Sequence, residues 1–116
     1  MGIGDHATEE LALNAARLRR ANDRVQLAAD GMGLVGPVPF ICECADTTCM
    51  DIVRLDTLRY ENVRYHPRRF FTVPGHPAGL ATDSAIVIDE FADYTLIDLI
   101  GRAGEVAEEQ YDDDLT

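Results

Sequence analysis

The sequence contains no lysine; all ten of its basic residues are arginine. Without a lysine, and without the spacing that would have to follow, Gly31-Met32-Gly33 is not a phosphate loop. No stretch approaches the roughly 18 apolar residues that a membrane-spanning helix needs. Met1–Asp5 lacks a cationic start and no apolar segment follows it, so no secretory signal is expected and the expected location is the cytoplasm. Only three cysteines occur. An odd number cannot pair off completely, and in a reducing cytosol clustered thiols are ligands or reactive groups before they are a disulfide framework. A fourth cysteine, which an iron–sulfur cluster usually requires, is missing. No nucleophile–base pair is visible, apart from the case of Cys49 meeting a histidine in space, so an enzyme is not the expected class. Asp89-Glu90 and Asp112–Asp114 read as exposed charge, and there is no internal repeat.

What is present is enough for one core. The chain has 116 residues, 47% of them hydrophobic, the size and composition of a single globular domain. The formal net charge of -11 is unevenly spread. Residues 1–82 hold ten acids against nine arginines, and residues 83–116 hold eleven acids against one. So acidic a second part repels phosphate backbones and speaks against nucleic acid as a partner.

Residues 1–7 read as a frayed N-terminus. Thr8, followed by Glu9 and Glu10, reads as a helix cap with acids in the first turn. Leu11, Ala15, Leu18, Asn22, Val25 and Ala29 then recur at helical spacing to about residue 30. That stripe fits packing against the body of its own domain; the alternative is a coiled-coil seam joining a homodimer, with Asn22 as its polar register residue. Asp30-Gly31 stops the helix and Gly31–Pro39 is a Gly/Pro connector. Val38–Glu43 and Ile52–Leu55 read as strands, and Asp56 as the cap of a short helix over Thr57–Tyr65 that ends at His66-Pro67. Phe70–Val73 is a strand closed by Pro74-Gly75. Ser84–Phe91 and Tyr94–Ile100 read as the arms of a hairpin bent at Ala92-Asp93. Residues 105–116, with acids at their heart, read as a mobile tail whose deletion should leave the melting temperature nearly unchanged.

The most informative stretch is Phe40-Ile41-Cys42-Glu43-Cys44-Ala45-Asp46-Thr47-Thr48-Cys49, a C-x-C-x4-C knuckle between two strands. Zinc takes four tetrahedral ligands and favours thiolate and imidazole. Alternation along the strand puts Cys42 and Cys44 on one face, and Asp46, Thr47 and Thr48 are good turn formers. Three cysteines leave one position open. His76 is the first choice, because the Pro74-Gly75 turn carries it beyond the end of a strand that can lie beside the knuckle strand. His66 competes, and His6 is the weakest candidate. Arg64, Arg68 and Arg69 with Tyr60 and Tyr65 form a basic, aromatic patch of the kind that grips an anion or RNA; the plainer reading is a solvated helix face pairing with the acidic tail.

The run Pro37-Val38-Pro39-Phe40-Ile41-Cys42-Glu43-Cys44, then Cys49, Tyr60-Glu61, Val63-Arg64, Pro67-Arg68-Arg69-Phe70 and Pro74-Gly75-His76, resembles a group of small uncharacterised actinobacterial proteins. The exclusive use of arginine suits the GC-rich coding of such a source. The resemblance extends from about Asn14 to Glu109 and implies that Cys42, Cys44, Cys49 and His76 belong to one recurring pattern. It implies no activity. Ala45 stands where that pattern has Gly, and Pro77 where it has an acid that could support His76.

The expectation is therefore an α+β domain over residues 8–104. Residues 8–30 form its helix, and residues 38–104 form a small antiparallel sheet of about five strands with one inserted short helix and a Cys-rich knuckle. The expected role is a zinc-stapled interaction or regulatory module with an unknown protein partner. The alternatives are a thiol redox sensor using Cys42, Cys44 and Cys49, and a zinc hydrolase in which three Cys and a water hold the metal.

Overall fold

The computed structural model describes residues 3–79 and 84–115, with only the backbone placed for Ile3, Gly4 and Asp5. Helix α1 runs Ile3–Gly31. It starts before the expected cap, so Thr8 lies inside the helix and the expected fraying at residues 3–7 is corrected; Met1 and Gly2 lie outside the described residues. It ends at Gly31, as expected, but the glycine that closes it is Gly33. Gly33 adopts φ +64°. The Leu34 N–H donates to the Ala29 carbonyl and the Gly33 N–H to Asp30, the paired bonds that close a helix through a left-handed glycine.

The strands are β1 (Val38–Ile41), β2 (Ile52–Leu55), β3 (Arg69–Thr72), β4 (Ala85–Glu90) and β5 (Thr95–Leu99). Helix α2 spans Thr57–Arg64, and the Asp56 side chain caps it by accepting from the Arg59 N–H at 2.8 Å. The α+β class and the antiparallel pairing are as expected, but the five strands form two sheets. β1 pairs with β2 as a ribbon, and the second sheet has the order β3-β5-β4. The knuckle bridges them, because the chain just past β1 passes β3 and the Glu43 N–H donates to the Phe71 carbonyl at 3.0 Å.

β3 is buried on both faces, so its alternating side chains feed two cores. Phe71 joins Val38, Phe40, Val53, Leu55 and Tyr60 beneath the ribbon. Phe70 joins Leu11, Ala15, Ile97, Leu99 and Val106 beneath the other sheet. Phe40 and Tyr60 stack with ring centroids 4.1 Å apart, and Phe71 meets both edge-on. β4 is the edge of its sheet. Ile86, Val87 and Ile88 are exposed there, and the pairing register shifts between Val87 and Asp89, an irregularity of the kind that blunts a sheet edge.

Residues expected to form a mobile acidic tail are instead helix α3, Gly101–Leu115, which packs along α1. Composition misleads here because the acids occupy one side. Ala103, Val106 and Ala107 recur at helical spacing and are buried against the small Ala12 and Ala15 of α1. Arg19 of α1 is 2% exposed. It donates to the carbonyls of Pro67 and Ala107 and lies over the rings of Phe70 and Tyr111. Deleting residues 105–116 would strip this cover from the core, so a marked fall in melting temperature, rather than an unchanged one, is the expected result.

Gly104 sets how closely α3 approaches the sheet. A Cβ there would lie 2.6 Å from the Leu99 carbonyl oxygen and 2.6 Å from Arg68 Nη1. Gly→Ala inside a helix ordinarily gains about 1 kcal/mol. At this position the sign should reverse, because the Leu99 oxygen is backbone and cannot swing aside. Gly104→Ala is expected to cost about 1–3 kcal/mol, read as a lower urea midpoint with an unchanged slope.

Candidate metal centre

Two turns build the site. The first is the knuckle. The Cys42 N–H donates to the Asp51 carbonyl at 2.8 Å and the Cys49 N–H to Asp46 at 3.1 Å. The Asp46 carboxylate accepts from the Thr48 N–H and hydroxyl at 2.9 and 2.7 Å, a side-chain turn that short polar residues form readily. These bonds fold Cys49 back towards Cys42 and Cys44. The second turn is Val73-Pro74-Gly75-His76. The His76 N–H donates to Val73 at 3.1 Å and Gly75 takes φ +85°, as a type II turn with Pro then Gly requires. The Ala45 N–H donates to the Pro77 carbonyl at 2.7 Å and locks the two turns together.

Cys42, Cys44, Cys49 and His76 each place one ligand atom so that all four atoms lie within 4.8 Å of one another. His76 Nδ1 is 3.6 Å from Cys42 Sγ and 3.5 Å from Cys49 Sγ. A tetrahedron with zinc–sulfur bonds of about 2.3 Å and a zinc–nitrogen bond of about 2.1 Å has sulfur–nitrogen edges of about 3.6 Å. Two edges of the group thus already have the length that a bound zinc would impose. The competing histidines lie elsewhere. His66 is exposed beyond the end of α2, with its ring against Tyr65. His6 is on α1, 3.9 Å from Glu10.

The surroundings suit this donor set. The Val73 N–H donates to Cys42 Sγ at 3.2 Å, and such a bond stabilises a thiolate. His76 Nε2 lies 3.4 Å from Asp51 Oδ2. That places a carboxylate behind the imidazole, the arrangement that fixes the tautomer of a ligating histidine. Asp51 thus stands where Pro77 cannot help, and sequence reasoning did not single it out. Burial pushes the Cys42 and Cys44 thiols up from their ordinary value. Thiols held protonated are weak nucleophiles, which weighs against a redox or catalytic use of these two in the metal-free protein.

Behind the knuckle, Glu43 turns the opposite way from its cysteine neighbours and is wholly buried. It accepts from Asn22 Nδ2 at 2.8 Å, Arg64 Nη2 at 2.5 Å and the Phe71 N–H at 3.2 Å. Asn22 also accepts from the Ile41 N–H and donates to the Ile41 carbonyl, so α1 grips the outer edge of β1 as a neighbouring strand would. Desolvation raises the Glu43 carboxyl, and the Arg64 charge with the three donors opposes that rise. Asn22, the residue weighed above as a dimer register position, is thus spent inside its own chain. The basic patch is divided in the same way: Arg64 goes to Glu43, Arg68 to Glu108 of α3, and Arg69 to Asp98 of β5. The missed signal was Glu43 itself, a lone acid in the stretch Val38–Cys44 that is otherwise free of charge, since an acid buried there demands a partner.

No helix among the described residues is long and apolar enough to cross a membrane. Set against known protein families, curated proteins and solved structures, the chain matches none of them.

Proposed function

We propose that this protein is a small module stapled by one structural zinc, held by Cys42, Cys44, Cys49 and His76, and that its role is interaction or regulation rather than catalysis. One observation carries the reading: three sulfurs and one imidazole nitrogen converge within 4.8 Å, with two sulfur–nitrogen distances of tetrahedral length. Four protein ligands close a zinc shell and leave no position for a substrate or an activated water. This favours the structural role over a hydrolase. When bound, zinc would supply a cross-link and the positive charge that lets buried thiols ionise.

The reading is tested on protein purified under reducing conditions. Element analysis should find about one zinc per chain, kept through dialysis, and Cys44→Ser should lose most of it. Cobalt substitution should give the absorption of a tetrahedral thiolate site. Metal-free protein that takes up neither ion would overturn it.

The pH dependence follows from the raised thiols. In the metal-free protein Cys42 and Cys44 keep their protons to higher pH than an ordinary thiol, so metal capture must expel protons across the neutral range. Apparent zinc affinity should therefore rise with pH and should still be rising above about pH 8.5, where an ordinary thiol is half titrated. Competition against a chromophoric chelator checks this; a plateau near neutral pH would contradict it.

A further inference from the structure

A second concave site lies away from the metal centre, between α2 and the β4–β5 hairpin. It is a groove of about 290 Å³, at the small end of the range for ligand pockets, about 300–1,000 Å³. Its floor is apolar. Val63 and Leu96 contribute to it, beside Phe91 and Tyr94, whose rings stack at 4.7 Å. The hairpin holds that ring pair rigid, because the Phe91 N–H donates to the Tyr94 carbonyl at 2.8 Å.

The rim is different in kind. The Arg59 guanidinium lies 6.0 Å from the Phe91 ring centre and 5.9 Å from that of Tyr94. Asn62, His66 and Arg69 also face the groove. Arg69 is held by Asp98 at 2.8 and 3.2 Å and so serves as a fixed wall. Arg59 meets Asp56 only at 3.7 Å, with half of its side chain exposed. Among the described residues, no hydrogen bond or ion pair engages the His66 ring nitrogens. Tyr65 is 82% exposed beside it, a large aromatic with no part in the core. In a chain of net charge -11, a hollow with cationic donors at its rim and aromatic faces at its floor is a local exception.

We propose that this groove binds a small planar anion, an aromatic ring carrying one phosphate or carboxylate group. The ring lies on the apolar floor by stacking and burial. The anion meets Arg59 and Asn62 at the rim, where a guanidinium offers paired donors to a phosphate or carboxylate. The negative end of the α2 dipole disfavours an anion near Arg64, which places the charge towards Arg59. The inference is independent of the metal reading, since no lining residue is a knuckle residue.

Titration of the full chain with phenyl phosphate and, separately, benzoate, followed by amide NMR, tests it. Saturable shifts at residues 62–66 and 91–94, with a Kd below about 1 mM for either probe, are expected; which probe binds tighter identifies the anion. Inorganic phosphate and phenol should each bind at least about tenfold more weakly, because each has only half of the recognition. Arg59→Gln, a change at an exposed side chain, should weaken the better probe by about tenfold while the remaining spectrum stays that of the folded protein. Inorganic phosphate or phenol binding as tightly as the combined probe would overturn the proposal. So would unchanged affinity in Arg59→Gln, or the absence of saturable shifts at these residues.

Discussion

Arg64→Met should destabilise the protein by about 3–5 kcal/mol, the cost of leaving one member of a buried ion pair without its partner. The Arg64 side chain is 11% exposed and that of Glu43 is 0% exposed. Removing the guanidinium leaves the Glu43 carboxylate with only Asn22 and the Phe71 N–H as donors, in a site closed by Tyr60, Phe70 and Phe71. Methionine is apolar and flexible enough to occupy much of the vacated volume, so the loss is electrostatic before it is a cavity. Arg64 Nε and Nη1 are buried without a hydrogen-bond acceptor. Those nitrogens belong to a guanidinium lying 5.0–5.6 Å from three aromatic ring centres, where cation–π attraction stands in for conventional acceptors. Arg64→Lys should therefore rescue little, since an ammonium lacks the planar face. The double variant Glu43→Gln/Arg64→Met should recover part of the loss, because an amide is cheaper to bury than a lone carboxylate. Urea unfolding of the three variants checks the series. A loss below about 1 kcal/mol in Arg64→Met would show that water reaches Glu43.

The legible and the hidden parts of this fold differ for physical reasons. Local chemistry announced α2, because Asp56 caps it and His66-Pro67 ends it, and it announced the hairpin through its β-branched run at Ile86, Val87 and Ile88. The knuckle was legible because turn formers separate the cysteines, and His76 because Pro-Gly dictates a turn. α3 was hidden. Its six acids between Glu105 and Asp114 outweigh its few apolar residues in composition, yet Ala103, Val106 and Ala107 need only a narrow face, since alanines on α1 let the helices approach closely. The division into two sheets was hidden as well, because periodicity within a strand says nothing about which strands pair. The links from Glu43 to Arg64 and Asn22 span 21 residues each, and at that distance a charge in the sequence looks the same whether it meets water or a partner.

Metal removal should loosen the knuckle first and leave the helices for last. Between Ile41 and Ile52 the ribbon ladder stops. The intervening chain is held by turn hydrogen bonds, the Ala45–Pro77 link and the Glu43 clamp, with little apolar side chain beyond the cysteines themselves. Cys42 and Cys44 are 0% and 2% exposed, and without a cation their sulfurs crowd one another as buried neutral thiols. A structural zinc site can supply on the order of 10 kcal/mol of apparent binding, comparable to the whole stability of a domain of this size. The core formed by α1, α3 and the three-stranded sheet draws on none of it. Titrating a strong chelator should therefore lower the melting temperature by more than about 10 °C. Segmental hydrogen exchange should show protection lost first around residues 40–53 and 73–77, then in α2 as Glu43 loses its alignment on Arg64, and last in α1 and α3. Protection unchanged around residues 40–53 after complete metal removal would make the site incidental to the fold. Simultaneous loss everywhere would show that the two cores are one cooperative unit, with the Glu43–Arg64–Asn22 cluster as the joint between them.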